Sequence, residues 1–272
     1  MRAWITCVVL LCLGGAVAPP ARAASASTPA AASAIPHTLR ACGDISEFPP
    51  YLYAQRAGGR KTAVAAGLDV DLLKRIIGDS GRAVDITLLP WARCLAMGSR
   101  GQTDILLDGI KSPLRTGQFL FPSSHYALTP IFLYLKGRPR PAMDSAAQLA
   151  HSRVCSQADY NYESFGIPNA IISNRARTID DAATMLKVGR CEIMLQQVET
   201  LRGHAQLGGV DLMNSPEFER ETPAWLKQID FYFMVGKTVP YGKELIDLLD
   251  KGVVSLKRDG EIERLRSKHQ LR

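Results

Sequence analysis

Short apolar runs alternate with helix-period segments from about residue 37 onward, and this alternation constrains the fold more than any other feature. Such alternation is typical of α/β proteins whose strands are mainly parallel. Pro90 and Gly189 end two of the segments, as expected for a strand end and a helix end. The predicted strands are 39–42, 84–89, 104–107, 154–156, 170–172, 193–195 and 231–235. The predicted helices are 91–96, 179–188, 242–256 and 260–269. One more helix is predicted around residues 70–77, because Val70, Leu73, Ile76 and Ile77 fall on one helical face.

The N-terminal segment predicts export. Arg2 precedes an apolar stretch, residues 4–17, that is too short to span a bilayer comfortably. Ala21-Arg22-Ala23 then matches the pattern that a signal peptidase cleaves. We therefore predict a signal peptide over residues 1–23 and a periplasmic location, with a retained membrane helix as the alternative.

Two further features of this region shape the mature chain. Cys7 and Cys12 do not follow the small residue of a lipoprotein cleavage site, so we expect no lipid anchor. Residues 24–36 are rich in Ala, Ser, Thr and Pro without hydrophobic periodicity, which predicts a disordered linker. The folded part then runs from about residue 37 to 272, long enough for two lobes.

Charge and cysteine content exclude several function classes. The net charge of +7 falls to +5 without Arg2 and Arg22, and no Lys/Arg run interleaved with aromatics is present, so nucleic-acid binding is not expected. No cysteine spacing resembles a zinc site, and we expect neither a metal nor a cofactor. The mature chain has four cysteines, which in an oxidising compartment predict disulfides with three possible pairings: Cys42, Cys94, Cys155 and Cys191.

The segment Gly67-Leu-Asp-Val-Asp-Leu72 resembles the signature of the family 3 extracellular solute-binding proteins, the polar amino-acid receptors of ABC importers. That signature places a glycine, an apolar residue and two acids around an aliphatic residue at the start of a helix. The resemblance covers essentially everything from Leu39 onward. It includes Phe48-Pro-Pro-Tyr51, Gly101-Gln-Thr-Asp-Ile105, Arg115 with Phe121-Pro-Ser-Ser-His-Tyr126, Gly189-Arg-Cys-Glu192 and Lys257-Arg-Asp-Gly-Glu261.

The resemblance implies a type II periplasmic-binding fold, with two α/β lobes joined by two crossing strands that act as a hinge. Lobe 1 would comprise residues 37–127 and 232–272, and lobe 2 residues 128–231. Ligands in such folds bind between the lobes, at the carboxyl ends of strands, and the hinge permits closure. This placement implies one disulfide within each lobe, Cys42–Cys94 and Cys155–Cys191, because a bridge between lobes would block closure.

Arg115 aligns with the ligand-clamping arginine of the family. A guanidinium offers a planar fork of donors that can grip a carboxylate with two hydrogen bonds. Without the resemblance, an arginine in a loop is more often a solvated surface charge. Phe48 and Trp91 are candidates for the apolar walls of the ligand site, with ordinary core packing as the alternative for each.

Two more candidate ligand-binding residues of lobe 1 lie shortly before Arg115 in the sequence. Gly109 and Lys111 align with family positions that contact the ligand carboxylate. Lys111 replaces a small polar residue, and Asp108 is a candidate for its local counter-ion. The segment from Asp108 to Arg115 is one residue shorter than the common pattern, which leaves its register open.

In lobe 2, Asp159-Tyr160-Asn161 is expected to open a helix whose free backbone N–H groups favour an anion. Asn161 aligns with a carboxylate-contacting residue, and Tyr160 either contacts the ligand or only packs. Gln197 stands where the family has an acid that accepts hydrogen bonds from the ligand's ammonium group. A neutral amide cannot neutralise that charge, so either Asp159 or Glu199 compensates or the ligand lacks an α-amino group.

These observations predict a monomeric periplasmic receptor, without enzymatic activity, for a small carboxylate-bearing solute such as an amino acid. Its partners would be that ligand and the membrane permease of an ABC importer. One alternative is a cyclohexadienyl dehydratase-like enzyme, with Asp108, Asp159 or Glu199 as proton donor. The other is a ligand-sensing partner of a membrane sensor.

Overall fold

The computed structural model of the protein describes residues 34–158 and 160–271, apart from the side chains of Ser164 and Ser173. The predicted signal peptide, most of the predicted linker, and Asp159 lie outside the described residues. The strands in chain order are β1 Thr38–Asp44, β2 Tyr53–Ala57, β3 Arg60–Ala66, β4 Ala83–Leu89, β5 Ile105–Gly109, β6 Phe119–Leu120, β7 Tyr126–Leu128, β8 Pro130–Leu135, β9 Val154–Gln157, β10 Ile172–Ala176, β11 Ile193–Gln197, β12 Phe218–Glu221 and β13 Ile229–Gly236.

The helices in chain order are α1 Leu68–Asp79, α2 Trp91–Ser99, α3 Pro113–Gln118, α4 Ala146–Leu149, α5 Ile179–Lys187, α6 Val198–Gln206, α7 Gly242–Arg258 and α8 Glu261–Lys268. Helices α1 to α6 each lie between two consecutive strands, as the alternating sequence pattern predicts, and α7 and α8 follow the last strand. None of the helices in the described ranges is long and apolar enough to cross a membrane.

The strands form two large sheets and a separate hairpin of β2 and β3. The first sheet has the order β4-β1-β5-β13-β6, with β7 also paired to β13. Strand β1 is parallel to β4 and β5, whereas β13 is antiparallel to β5, β6 and β7. We use "first lobe" below for this sheet with its helices and loops.

The second sheet has the order β10-β9-β11-β8-β12 and defines the "second lobe". Strand β9 is parallel to β10 and β11, and β8 is antiparallel to β11 and β12. The chain leaves the first sheet after Leu128 and returns to it at Ile229, and these two residues pair with each other. The two crossings therefore lie side by side, which is the geometry of a two-strand hinge. The predicted lobe boundaries stay a prediction.

Helix α1 shows how the sequence pattern sets the core of the first lobe. Its predicted apolar face is buried, including Val70, Leu73, Ile76 and Ile77, and each large aliphatic side chain removed from water contributes about 1.5–3 kcal/mol. Gly67 precedes the helix with φ of 127°. A Cβ at this position would collide with the carbonyl oxygen of Tyr51, so both the backbone angle and the close approach require glycine.

Both disulfides of the resemblance-based prediction are present. Cys42 and Cys94 join β1 to α2 across a Cα–Cα distance of 5.9 Å. Cys155 and Cys191 join β9 to the residue pair before β11 across 5.6 Å. Each bridge joins two segments of the same lobe, so neither bridge ties one lobe to the other.

The strand predicted at residues 170–172 is wrong in its boundaries. Residues Asn169–Ile171 form one turn of 3₁₀ helix, and β10 begins only at Ile172. The physical cause is Pro168, whose carbonyl oxygen accepts a hydrogen bond from the Ile171 N–H at 3.0 Å and so closes a turn before the strand starts.

The helix predicted to open at residues 159–161 is also wrong. The described chain there contains a single 3₁₀ turn, Glu163–Phe165, which ends at Gly166 with φ of 69°. The Asn161 side-chain oxygen accepts the Glu163 N–H at 2.9 Å, a local bond that competes with helix formation. A helix N-terminus is therefore not the source of anion binding at this place.

Candidate functional site

A cavity of about 50 Å³ lies between the two lobes, at the carboxyl ends of β1 and β5 and beside the loop that follows β9. Ligands of open α/β sheets bind at such strand ends. Six of the residues predicted from the sequence line this cavity: Phe48, Trp91, Arg115, Tyr160, Asn161 and Gln197. Seven other residues complete the lining: Asp44, Leu107, Asp108, Ile110, Tyr162, Phe165 and Phe231. Among these, only Asp108 was a candidate from the sequence, as a counter-ion or a proton donor.

Arg115 is a buried cation with 9% of its surface exposed. The Ser112 hydroxyl caps α3 by accepting the Arg115 N–H at 3.3 Å, and Arg115 Nη1 donates to the Ile110 carbonyl at 3.2 Å. The guanidinium carbon lies 5.4 Å from the ring centroid of Trp91. Within the described residues, no carboxylate forms an ion pair with it. Burial lowers the pKa of Arg115 to about 10, so the group remains charged at neutral pH.

Aromatic rings form the apolar wall of the cavity. Phe48 stacks on Phe231 at a centroid distance of 5.2 Å and contacts Tyr160 at 5.9 Å. Trp91 has 9% of its surface exposed and also packs in the buried cluster around Cys42 and Cys94. Trp91 and Phe48 each pack in the core and line the cavity, and their contact with a ligand stays a prediction.

Gly109 and Lys111 do not line the cavity. Gly109 pairs with Tyr232, and a Cβ on it would approach Met234 Cγ to 2.5 Å, so the glycine serves strand packing. Lys111 is exposed, and its ammonium group lies 4.2 Å from the ring centroid of Tyr232. Asp108 and Lys111 form no ion pair among the described residues, and Asp108 Oδ1 instead accepts a hydrogen bond from the Tyr126 hydroxyl at 2.6 Å.

The second lobe supplies the opposite wall. Gln197 ends β11, is 5% exposed and places a neutral amide at the cavity. Glu199 does not line the cavity, and its Oε2 accepts the Thr129 N–H at 2.9 Å beside the first crossing. Asn161 lines the cavity while its side-chain oxygen holds the local loop together.

A buried polar network lies beneath the cavity on the first-lobe side. His125 Nε2 is 2.8 Å from Asp69 Oδ1, and Asp69 Oδ2 accepts the backbone N–H of Asp108 at 3.2 Å. Burial raises the pKa of Asp69 to about 7 and lowers the pKa of His125 to about 3. This network was not predicted from the sequence, although Asp69 belongs to the signature segment and Asp108 lies near the end of a buried strand, where parallel sheets place their functional residues.

The lobes also touch each other directly. The Tyr160 hydroxyl donates to the Glu47 carbonyl at 3.3 Å. Gly203 on α6 packs against the Pro49–Pro50 backbone so closely that a Cβ would collide with it. These contacts join second-lobe residues to the loop that carries Phe48.

The Gly203→Ala variant is expected to weaken ligand binding by about tenfold or more, because its methyl group opposes the contact between α6 and Pro49–Pro50. A ligand gains affinity from closure only by its preference for the closed state. Isothermal titration calorimetry measures the change. Gly78→Ala is the matched control, since a Cβ at this helical glycine meets no atom within 4 Å. Unchanged affinity in Gly203→Ala would contradict a closed ligand-bound state with this contact.

The described chain has the two-lobed α/β fold of periplasmic binding proteins, with a cavity between the lobes. Solved structures share this fold. A substrate-binding protein of an amino-acid ABC transporter, AbpA from Streptococcus pneumoniae, bound to L-arginine, is 19% identical, with 86% of this chain and 94% of that chain covered and a TM-score of 0.66. The ancestral amino-acid-binding protein AncCDT-1, a precursor of cyclohexadienyl dehydratase, is 19% identical, with coverages of 85% and 95% and a TM-score of 0.63.

A histidine kinase sensor domain with similarity to periplasmic binding proteins is also similar, at 19% identity, coverages of 85% and 95%, and a TM-score of 0.66. A search of curated proteins found no match. The family model of the bacterial extracellular solute-binding proteins, family 3, matches residues 41–271, and the chain belongs to this family.

Proposed function

We propose that this protein is a periplasmic receptor that closes around a free amino acid and delivers it to the permease of an ABC importer. The observation that carries this proposal is Arg115, a buried and charged guanidinium at an aromatic cavity without an ion-pair partner among the described residues. A buried cation is costly unless an anion or several hydrogen bonds compensate it. A ligand carboxylate would supply both.

The surroundings of Arg115 favour a small organic acid over an inorganic anion. Phe48, Trp91 and Phe231 offer ring surface to an apolar or cationic part of the ligand. A cavity of about 50 Å³ holds on the order of four water-sized groups in this conformation. A small amino acid therefore needs the least rearrangement.

Family membership and the relatives support the transport role. The family comprises extracellular solute-binding proteins, and AbpA, an amino-acid ABC transporter protein, is bound to L-arginine. Two disulfides fit an oxidising compartment. The signal peptide predicted over residues 1–23 would take the chain to the periplasm.

A thermal-shift panel on the oxidised mature protein tests the ligand class. The panel contains the twenty common amino acids, dicarboxylates, polyamines and prephenate. We expect an amino acid to stabilise the protein by about 4 kcal/mol at roughly 1,000 times its dissociation constant. A shift with dicarboxylates or polyamines alone, or with no compound, would contradict an amino-acid receptor.

Delivery to an importer needs a separate test, because the likeness to a histidine kinase sensor domain supports an alternative in which the membrane partner is a sensor. Crosslinking of the ligand-bound protein in its native host, followed by mass spectrometry, identifies the membrane partner. We expect the permease subunits of an ABC importer. Capture of a sensor kinase without a permease would assign the protein to signalling.

The second candidate function is that of a dehydratase-like enzyme, and the position of Asp108 in the cavity lining favours it. Asp108 lines the cavity, and burial raises its pKa well above the usual value, which favours the protonated form that a proton donor needs. Of the other donors considered from the sequence, Asp159 lies outside the described residues and Glu199 does not line the cavity. Loss of prephenate absorbance on addition of the protein, abolished in Asp108→Asn, would establish this activity.

A further inference from the structure

Glu47 has a backbone conformation that residues with a side chain rarely adopt. Its φ is 67°, in the left-handed region that favours glycine. It lies in the loop after β1, directly before Phe48 of the cavity wall. Strained backbone of this kind persists only where neighbouring contacts hold it, and it is concentrated in ligand clamps and switch regions. The contacts that hold Glu47 therefore indicate its role.

The hairpin of β2 and β3 holds the Glu47 side chain. Arg56 on β2 pairs with Lys61 on β3, and two cations opposite each other repel unless an anion compensates them. Glu47 Oε1 accepts the Ala54 N–H at 2.9 Å and Arg56 Nη1 at 2.6 Å. Its Oε2 accepts Arg56 Nη2 at 2.9 Å and lies 2.9 Å from Lys61 Nζ. Only 10% of this side chain is exposed, and we call its contacts with Ala54, Arg56 and Lys61 the Glu47 clamp.

The backbone of Glu47 reaches the second lobe. Its carbonyl oxygen accepts the Tyr160 hydroxyl at 3.3 Å, and the rings of Tyr160 and Phe48 lie 5.9 Å apart between centroids. Both rings line the ligand cavity. Glu47, Arg56 and Lys61 line a different groove between the lobes, so the clamp stays outside the cavity. One loop residue thus joins the hairpin, the cavity wall and the second lobe.

The charged residues across that groove do not form part of the clamp. The second lobe contributes Asp180 and His204 to the groove. His204 Nε2 lies 2.7 Å from Asp180 Oδ1, so these two groups bond to each other. Within the described residues, no ion pair joins either of them to Glu47, Arg56 or Lys61. The bond from the Tyr160 hydroxyl to Glu47 is therefore a contact between neutral groups that depends on the position of the loop.

We infer that Glu47 is a positioning residue for closure of the lobes around the ligand. Its side chain, fixed by Arg56 and Lys61, holds the loop so that the Glu47 carbonyl faces the Tyr160 hydroxyl and Phe48 faces the cavity. No covalent bond forms or breaks. This inference rests on the proposed function, since closure around an amino acid is the step that Glu47 assists. It extends the binding device from the cavity lining to the hairpin.

Loss of the clamp is expected to weaken binding without removing a group from the cavity lining. Glu47→Gln keeps the size of the side chain but removes the charge that holds Arg56 and Lys61, and the loop then leaves its strained conformation. The dissociation constant should rise about tenfold, through faster dissociation and not slower association, because the closed state is the one that loses its contact. Arg56→Gln changes the other side of the clamp and should give the same result.

Calorimetry and stopped-flow fluorescence test these expectations. The probes are the twenty common amino acids, and the titrations use the one that stabilises wild type most. Tyr160→Phe removes the hydroxyl, keeps the ring and should raise the dissociation constant about fivefold. The double variant Glu47→Gln/Tyr160→Phe should bind no more than about twofold more weakly than Glu47→Gln, because both substitutions break the same contact between the lobes.

Glu47→Gly separates the clamp from the backbone strain. Glycine takes a φ of 67° readily but cannot hold the hairpin, so its affinity should fall at least as far as that of Glu47→Gln. If residue 47 only had to fit the turn, glycine would retain the wild-type affinity. Glu221→Gln makes the same chemical change in a second-lobe ion pair with Arg140 and serves as the matched control. Circular dichroism checks that each variant folds, and Arg56→Gln replaces Glu47→Gln in the double variant where the latter does not.

The outcomes distinguish the receptor role from the role of Glu47. If none of the twenty amino acids binds wild type, the proposed function fails and this inference fails with it. If one binds and either Glu47→Gln or Glu47→Gly retains its affinity within about threefold, the inference is overturned while the receptor role stands. It is likewise overturned if the separate effects of Glu47→Gln and Tyr160→Phe multiply in the double variant, because the two residues would then act independently.

Discussion

Replacing Arg115 with alanine is expected to weaken ligand binding by about 100-fold or more without disrupting the fold. Removing one member of a buried charge pair costs about 2–5 kcal/mol, much of it from the partner charge left unpaired. In the ligand-free protein the guanidinium is itself buried, with its pKa lowered to about 10 by burial. Its removal should therefore leave the melting temperature unchanged or raise it, because a buried charge without an ion-pair partner destabilises the ligand-free protein.

Arg115→Lys separates charge from geometry in the same experiment. Lysine keeps the positive charge but lacks the planar fork and the stacking surface against Trp91. We expect an affinity between those of wild type and Arg115→Ala. Arg138→Ala, an exposed arginine in the turn after β8, is the matched control. Calorimetry in which Arg115→Ala binds within about threefold of wild type would remove Arg115 from the site.

Loss of either disulfide is expected to lower the free energy of unfolding by about 4 kcal/mol. In the chain-entropy account, the cost depends on the length of the closed loop, and the sequence separations here are 52 residues for Cys42–Cys94 and 36 for Cys155–Cys191. Because the dependence is logarithmic, the two paired alanine variants should differ by less than about 1 kcal/mol. Urea unfolding of each variant measures the change.

The two bridges are expected to differ in their effect on ligand binding. Cys42–Cys94 packs beside Trp91, a wall of the cavity, whereas Cys155–Cys191 belongs to a separate buried cluster of the second lobe. The first paired variant should weaken binding, and the second should leave it within about threefold. Wild type treated with reductant provides the comparison without any substitution. A stability loss below about 1 kcal/mol for both would contradict the role of the bridges.

Regular elements were predictable because their signals are local. The helix predicted at 179–188 is α5, Ile179–Lys187, capped by Thr178 and followed by Gly189 with φ of 74°. Such caps and periodic faces depend on neighbouring residues only. The hairpin of β2 and β3 was missed although Gly58 and Gly59, both at positive φ, offered a two-residue turn signal.

The candidate site was predictable only in part because it is assembled over long sequence separations. The resemblance located Arg115 and the aromatic walls, and these line the cavity. Phe231 comes from β13, far along the chain, and no local pattern ties it to Phe48. The network of Asp69, Asp108 and His125 depends on the burial of ionisable side chains, which a sequence does not display. Ligand contact for each predicted residue stays a prediction.

A crystal structure of the protein with the amino acid that stabilises it most tests the account most directly. We predict that the ligand lies in the cavity between the lobes, with its carboxylate within hydrogen-bonding distance of the Arg115 guanidinium and beside the rings of Phe48 and Trp91. A ligand bound outside this cavity, or a carboxylate held without Arg115, would contradict the account.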